Sequence, residues 1–186
     1  MIREAANVEE LLTGPVWEVA PRLLGSKVTT SFAGRLTSVM LTEVEAYAGA
    51  DDPASHAYRG ETPRNRSMFG PTGTLYVYRS YGIHWCMNIV VGGAGTAHAV
   101  LLRGGKPTAG IDTMESRRGR SDHLADGPGK LCQALAVDGA ADGSSVSTGP
   151  VLVTPGELPP HATVTATPRV GISRAIDVPW RWVVTG

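Results

Sequence analysis

The sequence predicts a mixed α+β fold: a single domain over residues 1–186, with a mostly antiparallel β-sheet, short helices and one protruding β-hairpin. Three observations carry this prediction. The composition shows no break along 186 residues, a length that suits one domain with a proper core. The 23 glycines and 13 prolines indicate many turns rather than long helices. Short stretches of alternating polarity follow one another across turn residues, as they do in antiparallel sheets.

Two short helices are predicted near the N-terminal end. Asn7 is a suitable N-cap, with Glu10 as its capping-box partner, and favours a helix over residues 8–12. A second helix over residues 16–24 is predicted to end at Gly25, because glycine readily adopts the left-handed conformation that follows a helix.

A β-hairpin is predicted next. Residues 27–32 and 36–45 have the pattern of strands, and Ala33-Gly34 between them is typical of a turn. Glu45 therefore stands at the end of a strand, where rigid structure can hold a catalytic group. The polar segment 49–71 is predicted to be a long functional loop.

Three further strands are predicted at residues 74–81, 85–91 and 97–103. Tyr76 and Tyr78 share one face of the first of them, because side chains alternate along a strand. Tyr81 is expected to project from a hairpin tip, since Gly82 permits a positive φ.

The C-terminal half is predicted to contain helices at residues 107–117 and 127–137 and strands at 151–153, 163–167 and 182–184. The second of these helices begins with glycines whose backbone amides could face an anion, although the spacing of a phosphate-binding loop is absent.

The charge pattern is compatible with a modest nucleic-acid interface. The formal net charge is +0, which argues weakly against such an interface, but residues 59–79 contain four arginines and one glutamate. An ordinary solvated surface explains this local basic face equally well. We predict contacts to the DNA backbone from Arg64, Arg66, Arg79 and Lys130.

Neither a membrane span nor a disulfide is predicted. No apolar run approaches the ~18 residues that a span needs, and no secretory pattern follows Met1, so an intracellular protein is expected. Cys86 and Cys132 are the two cysteines of the chain, and we expect both to be buried free thiols.

A candidate hydrolytic centre lies on the second strand. Glu43 and Glu45 are two residues apart, so both face one side of that strand. Burying two carboxylates as ions is costly, and Arg103, at the end of another predicted strand, is the leading candidate for their partner. A Glu–Arg pair that holds a water is a reasonable hydrolytic core. A purely structural ion pair is the alternative.

The tyrosines and His56 also allow more than one interpretation. The tyrosines could stack on nucleic-acid bases, but for Tyr76 packing in a half-buried sheet is the stronger interpretation. His56 could form a metal site with Asp52 and Glu45. The spacing matches no metal-binding pattern, so a hydrogen-bonding histidine in a loop is favoured.

Ordered motifs of this sequence resemble those of the alkyladenine (3-methyladenine) DNA glycosylase family. The similarity extends from about Leu24 to Gly171 and is weak between residues 138 and 166. The similar segments are Glu43-Val-Glu-Ala-Tyr47, Thr62-Pro-Arg-Asn-Arg66, Met68-Phe69, Gly73-Thr-Leu-Tyr-Val-Tyr78, Tyr81-Gly82, Cys86-Met-Asn-Ile89, Leu101-Leu-Arg103, Lys130-Leu-Cys-Gln-Ala-Leu135 and Pro168-Arg-Val-Gly-Ile172. So many motifs in the right order make chance implausible.

The resemblance implies a monofunctional, monomeric glycosylase that needs no metal or cofactor. Its partner would be double-stranded DNA containing damaged purines. It would flip an alkylated or damaged purine out of the duplex and hydrolyse the N-glycosidic bond, leaving an abasic site. Such an enzyme would work inside the cell, in the cytoplasm or nucleoid of a bacterium and otherwise in the nucleus.

The resemblance also implies roles for individual residues. Glu45 would be the general base that deprotonates a water, and Arg103 and the backbone of Val170 would help to hold that water. Tyr81 would enter the duplex and fill the gap left by the extruded nucleotide. The flipped base would lie in a pocket that contains Tyr47, His56, Tyr78 and Asn88, with Asn88 disfavouring a guanine amino group.

Two departures from the family pattern affect these expectations. Ile83, His84 and Trp85 follow the presumed wedge where other members carry different residues, which leaves the neighbouring DNA contacts open. Ala48 is smaller than the residue expected after Tyr47, which would loosen the pocket.

Two other functions remain open at this point. A non-catalytic nucleic-acid-binding module would use the same aromatic and basic face. A metal-dependent hydrolase would use Glu45, Asp52 and His56.

Overall fold

A computed structural model describes residues 7–186. The helices are α1 (Val8–Leu11), α2 (Val16–Arg22), α3 (Ile111–Arg118) and α4 (Pro128–Leu135). The strands are β1 (Lys27–Phe32), β2 (Arg35–Ala48), β3 (Leu75–Ser80), β4 (His84–Val91), β5 (His98–Ala109), β6 (Val151–Thr154), β7 (Thr163–Thr167) and β8 (Arg181–Thr185). Every predicted strand is therefore present, and the predicted α+β class is confirmed.

The strands form one curved antiparallel sheet. Its main path runs β3-β4-β5-β2-β1-β6, while β8 pairs with both β2 and β7, and all these pairings are antiparallel. The long strand β2 lies between β5 and β1 at its start and between β5 and β8 around Glu43–Glu45. β2 is therefore an interior strand over residues 38–40 and 43–45. Its burial does not simply alternate, because consecutive residues are buried at 37–39 and at 44–46.

The helices pack on the sheet through short apolar faces. In α2, Val16, Val19 and Ala20 are buried on one side, and Pro21 is accommodated within the helix. Asn7 caps α1 as predicted, but its side chain accepts the N–H of Glu9, one residue earlier than a capping box with Glu10 would use.

The predicted helix over residues 107–117 begins too early. Pro107 to Ala109 still belong to β5, and α3 starts only after Gly110, whose φ is 70°. A Cβ at Gly110 would stand 2.2 Å from the backbone oxygen of Leu36, so the chain can turn here only with a glycine. In the sequence, Gly110 alone marks the boundary between β5 and α3, inside a segment whose composition is otherwise helical.

The β3–β4 hairpin protrudes as predicted. Its tip contains Tyr81 and Gly82, both with positive φ (49° and 69°), and the Tyr81 side chain is 88% exposed. A non-glycine residue in this conformation is uncommon and is worth a functional explanation.

A main hydrophobic core fills the space between the sheet and helices, and a smaller cluster lies under the loop 49–71. The smaller cluster contains Ala57, Met68, Tyr76, Val90, Ala97 and Ala99. Cys86 and Cys132 are buried free thiols, as predicted. Among residues 7–186, no helix combines the length and apolar character required to cross a membrane.

Candidate functional site

The loop 49–71, the β3–β4 hairpin and the segment 171–174 enclose a cavity of about 640 Å³. This volume is in the range of small-ligand sites. Six of the residues predicted to contact the substrate or the DNA backbone line it, namely Tyr47, His56, Arg64, Tyr78, Tyr81 and Asn88. Local sequence patterns did not show that these residues from distant segments would meet.

Glu45 lies immediately behind this cavity and is fully buried. Its Oε1 accepts the backbone N–H of Val170 at 2.7 Å, and its Oε2 accepts the hydroxyl of Tyr47 at 2.8 Å. Nη1 of Arg103 lies 3.4 Å from the same Oε2. The Glu45 carboxylate therefore has one hydrogen-bond donor on each oxygen and a guanidinium within ion-pair distance.

Arg103 bridges the two glutamates that were predicted to share a side of β2. Its Nε donates to Oε1 of Glu43 at 2.8 Å while its other end faces Glu45. Burial lowers the pKa of Arg103, but the charge of Glu45 and the hydrogen bond to Glu43 outweigh burial, so the net pKa is raised. Arg181 on β8 also donates to Glu43, at 2.7 Å. Arg181 was not predicted from the sequence, because only the pairing of β8 with β2 brings it there.

Tyr47 connects Glu45 to the cavity. Its ring lines the cavity and its hydroxyl donates to Glu45. Burial is the main cause that raises the pKa of Tyr47, and the charge of Glu45 raises it further. The hydroxyl therefore stays protonated and remains a donor at any ordinary pH. The guanidinium of Arg169 lies 4.8 Å from the centroid of the Tyr47 ring.

An aromatic cluster forms another wall. Tyr76 and Tyr78 project from the same face of β3, as predicted, with their rings stacked 5.4 Å apart. His56 meets Tyr78 edge-on at 4.5 Å, and its Nδ1 lies 3.0 Å from the hydroxyl of Tyr76. Burial, and then the charge of Arg64, lower the pKa of His56. The imidazole is accordingly neutral near pH 7. Burial, followed by Cys86, raises the pKa of Tyr78.

Two asparagines organise the site through the backbone. Asn88 is buried on β4, lines the cavity and donates to the carbonyl of Tyr76 at 3.1 Å. Asn65 donates to the carbonyls of His56 and Gly60, and its Oδ1 accepts the N–H of Thr62. Asparagine side chains stabilise loops in this way, which explains how a long loop holds His56 in place. Asn65 belongs to the motif Thr62-Pro-Arg-Asn-Arg66, but no local sequence pattern indicated this role.

The hairpin tip carries apolar side chains into solvent. Beside Tyr81, Ile83 is 67% exposed, and His84 is exposed as well. Trp85 is partly buried, and the guanidinium of Arg79 lies 5.7 Å from its ring centroid. Among the three residues that depart from the family pattern, Ile83, His84 and Trp85, it is therefore Ile83 that extends the exposed apolar tip.

The four predicted backbone-contacting residues differ in their surroundings. Arg64 lines the cavity and donates to the carbonyl of Arg79 at 2.9 Å. Arg66 lies 3.5 Å from Glu61, and Lys130 lies 2.9 Å from Asp126. Such exposed ion pairs contribute little, so these cations remain available to other anions.

Asp52 has a different environment from the one a metal site would require. Both of its carboxylate oxygens accept hydrogen bonds from the guanidinium of Arg169, and both side chains are buried. Within residues 7–186, no group of three or more histidine, cysteine, aspartate or glutamate side chains is arranged to hold a metal ion. Arg169 belongs to the motif Pro168-Arg-Val-Gly-Ile172, but no local sequence pattern predicted that it pairs with Asp52.

Comparison with known proteins identifies related chains. The sequence profile of the family described as Methylpurine-DNA glycosylase matches residues 10–186. A protein of Agrobacterium fabrum is 49% identical over 172 residues, covering 91% of this chain and 83% of its own length. A protein of Cutibacterium acnes is 48% identical over 179 residues, covering 92% of each chain. Both are named provisionally as 3-methyladenine DNA glycosylases.

Proposed function

Because this chain belongs to the methylpurine-DNA glycosylase family, as its motifs indicated, we propose that it removes alkylated or damaged purines from double-stranded DNA. The protein acts as a single glycosylase domain over residues 1–186. It hydrolyses the N-glycosidic bond with a water activated by Glu45 and leaves an abasic site. A monofunctional N-glycosyl hydrolase of this kind forms no covalent bond to the DNA.

One observation carries the proposal: a buried carboxylate stands directly behind an aromatic cavity, where two hydrogen-bond donors and an arginine hold it in place. Glu45 is held by Tyr47, Val170 and Arg103. A carboxylate oxygen has two lone pairs, and Oε1 uses one of them for the Val170 N–H. The remaining lone pair can accept a proton from a water. The chain thus combines a candidate base with a cavity that could hold the leaving group.

In the proposed reaction, Glu45 acts as the general base. Water attacks the anomeric carbon of the sugar while Glu45 takes one of its protons, and the purine departs with the electrons of the glycosidic bond. The sugar acquires positive charge in the transition state, and the carboxylate stabilises it electrostatically. Arg103 and the backbone of Val170 orient the carboxylate and thereby the water.

Base recognition uses the aromatic walls. Tyr47 and Tyr78 stack on the flipped base, and His56 forms a hydrogen bond to it. A purine alkylated on a ring nitrogen carries positive charge, which improves both its stacking on electron-rich rings and its ability to leave. Asn88, held by its bond to Tyr76, stands against the base edge and disfavours a guanine amino group.

DNA is engaged by the hairpin and the basic face around the cavity. Tyr81 enters the duplex and fills the space of the extruded nucleotide, which offsets part of the unstacking cost. Backbone contacts come from Arg64, Arg66, Arg79 and Lys130. The protein works as a monomer where the cell keeps its DNA, which is the cytoplasm or nucleoid in bacteria.

The test is single-turnover base release from methylated duplex DNA with EDTA present. Wild type releases the base, and Glu45→Gln loses about 10²–10⁴-fold in rate, the range expected when a general base is removed. Glu43→Gln is the matched control, because it makes the same chemical change two residues away on the same face of β2. It should retain much more activity than Glu45→Gln.

Other outcomes assign other functions. If wild type binds the methylated duplex without releasing base, the chain is a non-catalytic binding module. If base is released only without EDTA, a metal-dependent hydrolase is the better explanation. Equal rates for wild type and Glu45→Gln would contradict the role of Glu45.

A further inference from the structure

The buried Arg169–Asp52 pair forms hydrogen bonds to the backbone of β2 close to Glu45. The guanidinium donates to both carboxylate oxygens of Asp52 and, through Nη1, to the backbone carbonyl of Ala46. Asp52 Oδ2 in turn accepts the backbone N–H of Ala48 at 3.3 Å. The pair therefore connects the segment around residue 169 with the backbone of β2 on either side of Tyr47.

Arg169 influences Glu45 by two separate routes. Along the chain, the next residue is Val170, whose N–H donates to Oε1 of Glu45. Through space, the guanidinium packs on the ring of Tyr47, whose hydroxyl donates to Oε2 of Glu45. Both hydrogen-bond donors to the Glu45 carboxylate, Tyr47 and Val170, thus depend on where the Arg169 side chain is held.

The surroundings of Arg169 are more suited to fixing a geometry than to adding stability. Its guanidinium lies between two rings, Tyr47 at 4.8 Å and Trp180 at 5.4 Å, and Trp180 is itself stacked on Trp17 at 5.6 Å. Nε of Arg169 is buried and has no hydrogen-bond partner among the described residues. Buried ion pairs are often no more stabilising than apolar packing of the same volume, and an unsatisfied donor adds to their cost.

From this arrangement, we infer that Arg169, anchored by Asp52, is a positioning residue for the catalytic carboxylate. It does not touch the substrate. It sets the distances from the Val170 N–H and from the Tyr47 hydroxyl to Glu45. These distances in turn determine how the free lone pair of Glu45 is directed toward the water. This inference rests on the proposed function, since it requires Glu45 to be the base.

Arginine is required at this position for a geometric reason. A planar guanidinium donates to two carboxylate oxygens and a carbonyl while its faces remain free to stack on rings. A lysine supplies the charge for Asp52 but has neither the fork nor the flat faces. Arg169→Lys therefore keeps the positive charge beside Asp52 but removes the geometry of the guanidinium. It also avoids the uncompensated buried carboxylate that Arg169→Ala leaves.

The experiment compares Arg169→Lys, Arg169→Ala and Arg117→Ala with wild type. Arg117 is the matched control, because it also donates to a backbone carbonyl and to a side chain, Ala134 and Thr37, but far from the cavity. Three quantities are measured: melting temperature, Kd for a duplex containing a tetrahydrofuran abasic-site analogue, and the single-turnover rate of base release at saturating enzyme. Arg169→Ala is assayed with and without methylguanidinium chloride, against sodium chloride at equal ionic strength.

We expect a loss of rate without an equal loss of binding. Misplacement of a reacting group by about 1 Å can cost ~100-fold in rate, so Arg169→Ala should lose on the order of 100-fold and Arg169→Lys on the order of 10-fold. Kd for the abasic analogue should change by less than the rate in both variants. Methylguanidinium, but not sodium, should raise the rate of Arg169→Ala, and Arg117→Ala should react at the wild-type rate.

The inference is overturned if Arg169→Lys remains folded, binds the duplex and reacts as fast as wild type. It is also overturned if Arg117→Ala loses as much rate as an Arg169 variant of equal melting temperature, because general destabilisation then explains the effect. If Arg169→Ala fails to fold, Arg169→Lys alone decides. A wild-type protein that releases no base contradicts the proposed function itself, and the inference falls with it.

Discussion

Tyr81→Ala should impair base extrusion while leaving the fold and the hydrolytic step intact. Tyr81 is 88% exposed at the tip of the β3–β4 hairpin, so its removal costs little packing energy in the free protein. In the complex, its ring would replace the stacking of the extruded base. Stacking of a base on an aromatic side chain contributes ~1–3 kcal/mol, and ~1.4 kcal/mol corresponds to a factor of ten. The expected loss is therefore about 5–150-fold in the equilibrium between stacked and flipped DNA.

Single-turnover base release measures this loss when the lesion is placed in two duplexes. In a well-paired duplex, the rate for Tyr81→Ala should fall by roughly the factor above. In a duplex with the lesion mispaired, the deficit should shrink, because the base is already easier to unstack. Tyr81→Phe keeps the ring and should match wild type. Ile83→Ala removes a neighbouring exposed apolar side chain and tests whether the loss of rate is specific to Tyr81.

The reasoning is refuted if Tyr81→Ala releases base from the well-paired duplex as fast as wild type. A deficit of equal size in the paired and mispaired duplexes would also refute it, because the defect would then lie in the chemistry or in general binding. The melting temperature of the free protein should be unchanged, which excludes misfolding as the cause.

Three further predictions concern stability and salt dependence. The pKa of His56 is lowered in the folded protein, so the unfolded chain binds the proton more tightly. The free energy of unfolding should therefore fall as pH drops below about 6.5. Urea titrations should show a smaller fall for His56→Asn. Gly110 and Gly119 both have positive φ at the ends of α3, but a Cβ would collide with Leu36 only at Gly110. Gly119→Ala should cost about 1–2 kcal/mol from backbone strain, and Gly110→Ala distinctly more, as measured by the urea midpoint; equal costs would contradict the clash. Arg64→Ala should reduce the slope of log K against log salt for duplex binding by about 0.9, whereas an unchanged slope would mean that Arg64 touches no phosphate.

The positions of the strands could be predicted well because their signals are local. The strands β1 and β7 have the predicted limits, and the turn predicted at Ala33-Gly34 is present, with positive φ at both residues. The prediction that a helix begins at Pro107 was wrong. A strand can continue through a segment of helical composition when the adjacent strand pairs with it. Pro107 pairs with Val39 there, and only Gly110 ends the strand.

The alternation of side chains along β2 was enough to place Glu43 and Glu45 on one side, and the placement of Arg103 on another predicted strand was enough to select it as their partner. The partners contributed by the C-terminal segment were not predictable in the same way. Arg181 reaches Glu43 across 138 residues of chain, and Arg169 reaches Asp52 across 117.

The sequence by itself determined the class of the fold, the strands, the exposed hairpin tip and the residue types of the site, because these depend on local periodicity, turn chemistry and ordered motifs. The tertiary structure alone decided that Val170 donates to Glu45, that Arg169 lies against Tyr47 and that Asp52 is paired with an arginine. The physical reason is that such contacts follow from the path of the chain after β7, which places residues 168–170 over the end of β2. The periodicity of neither segment contains information about the other.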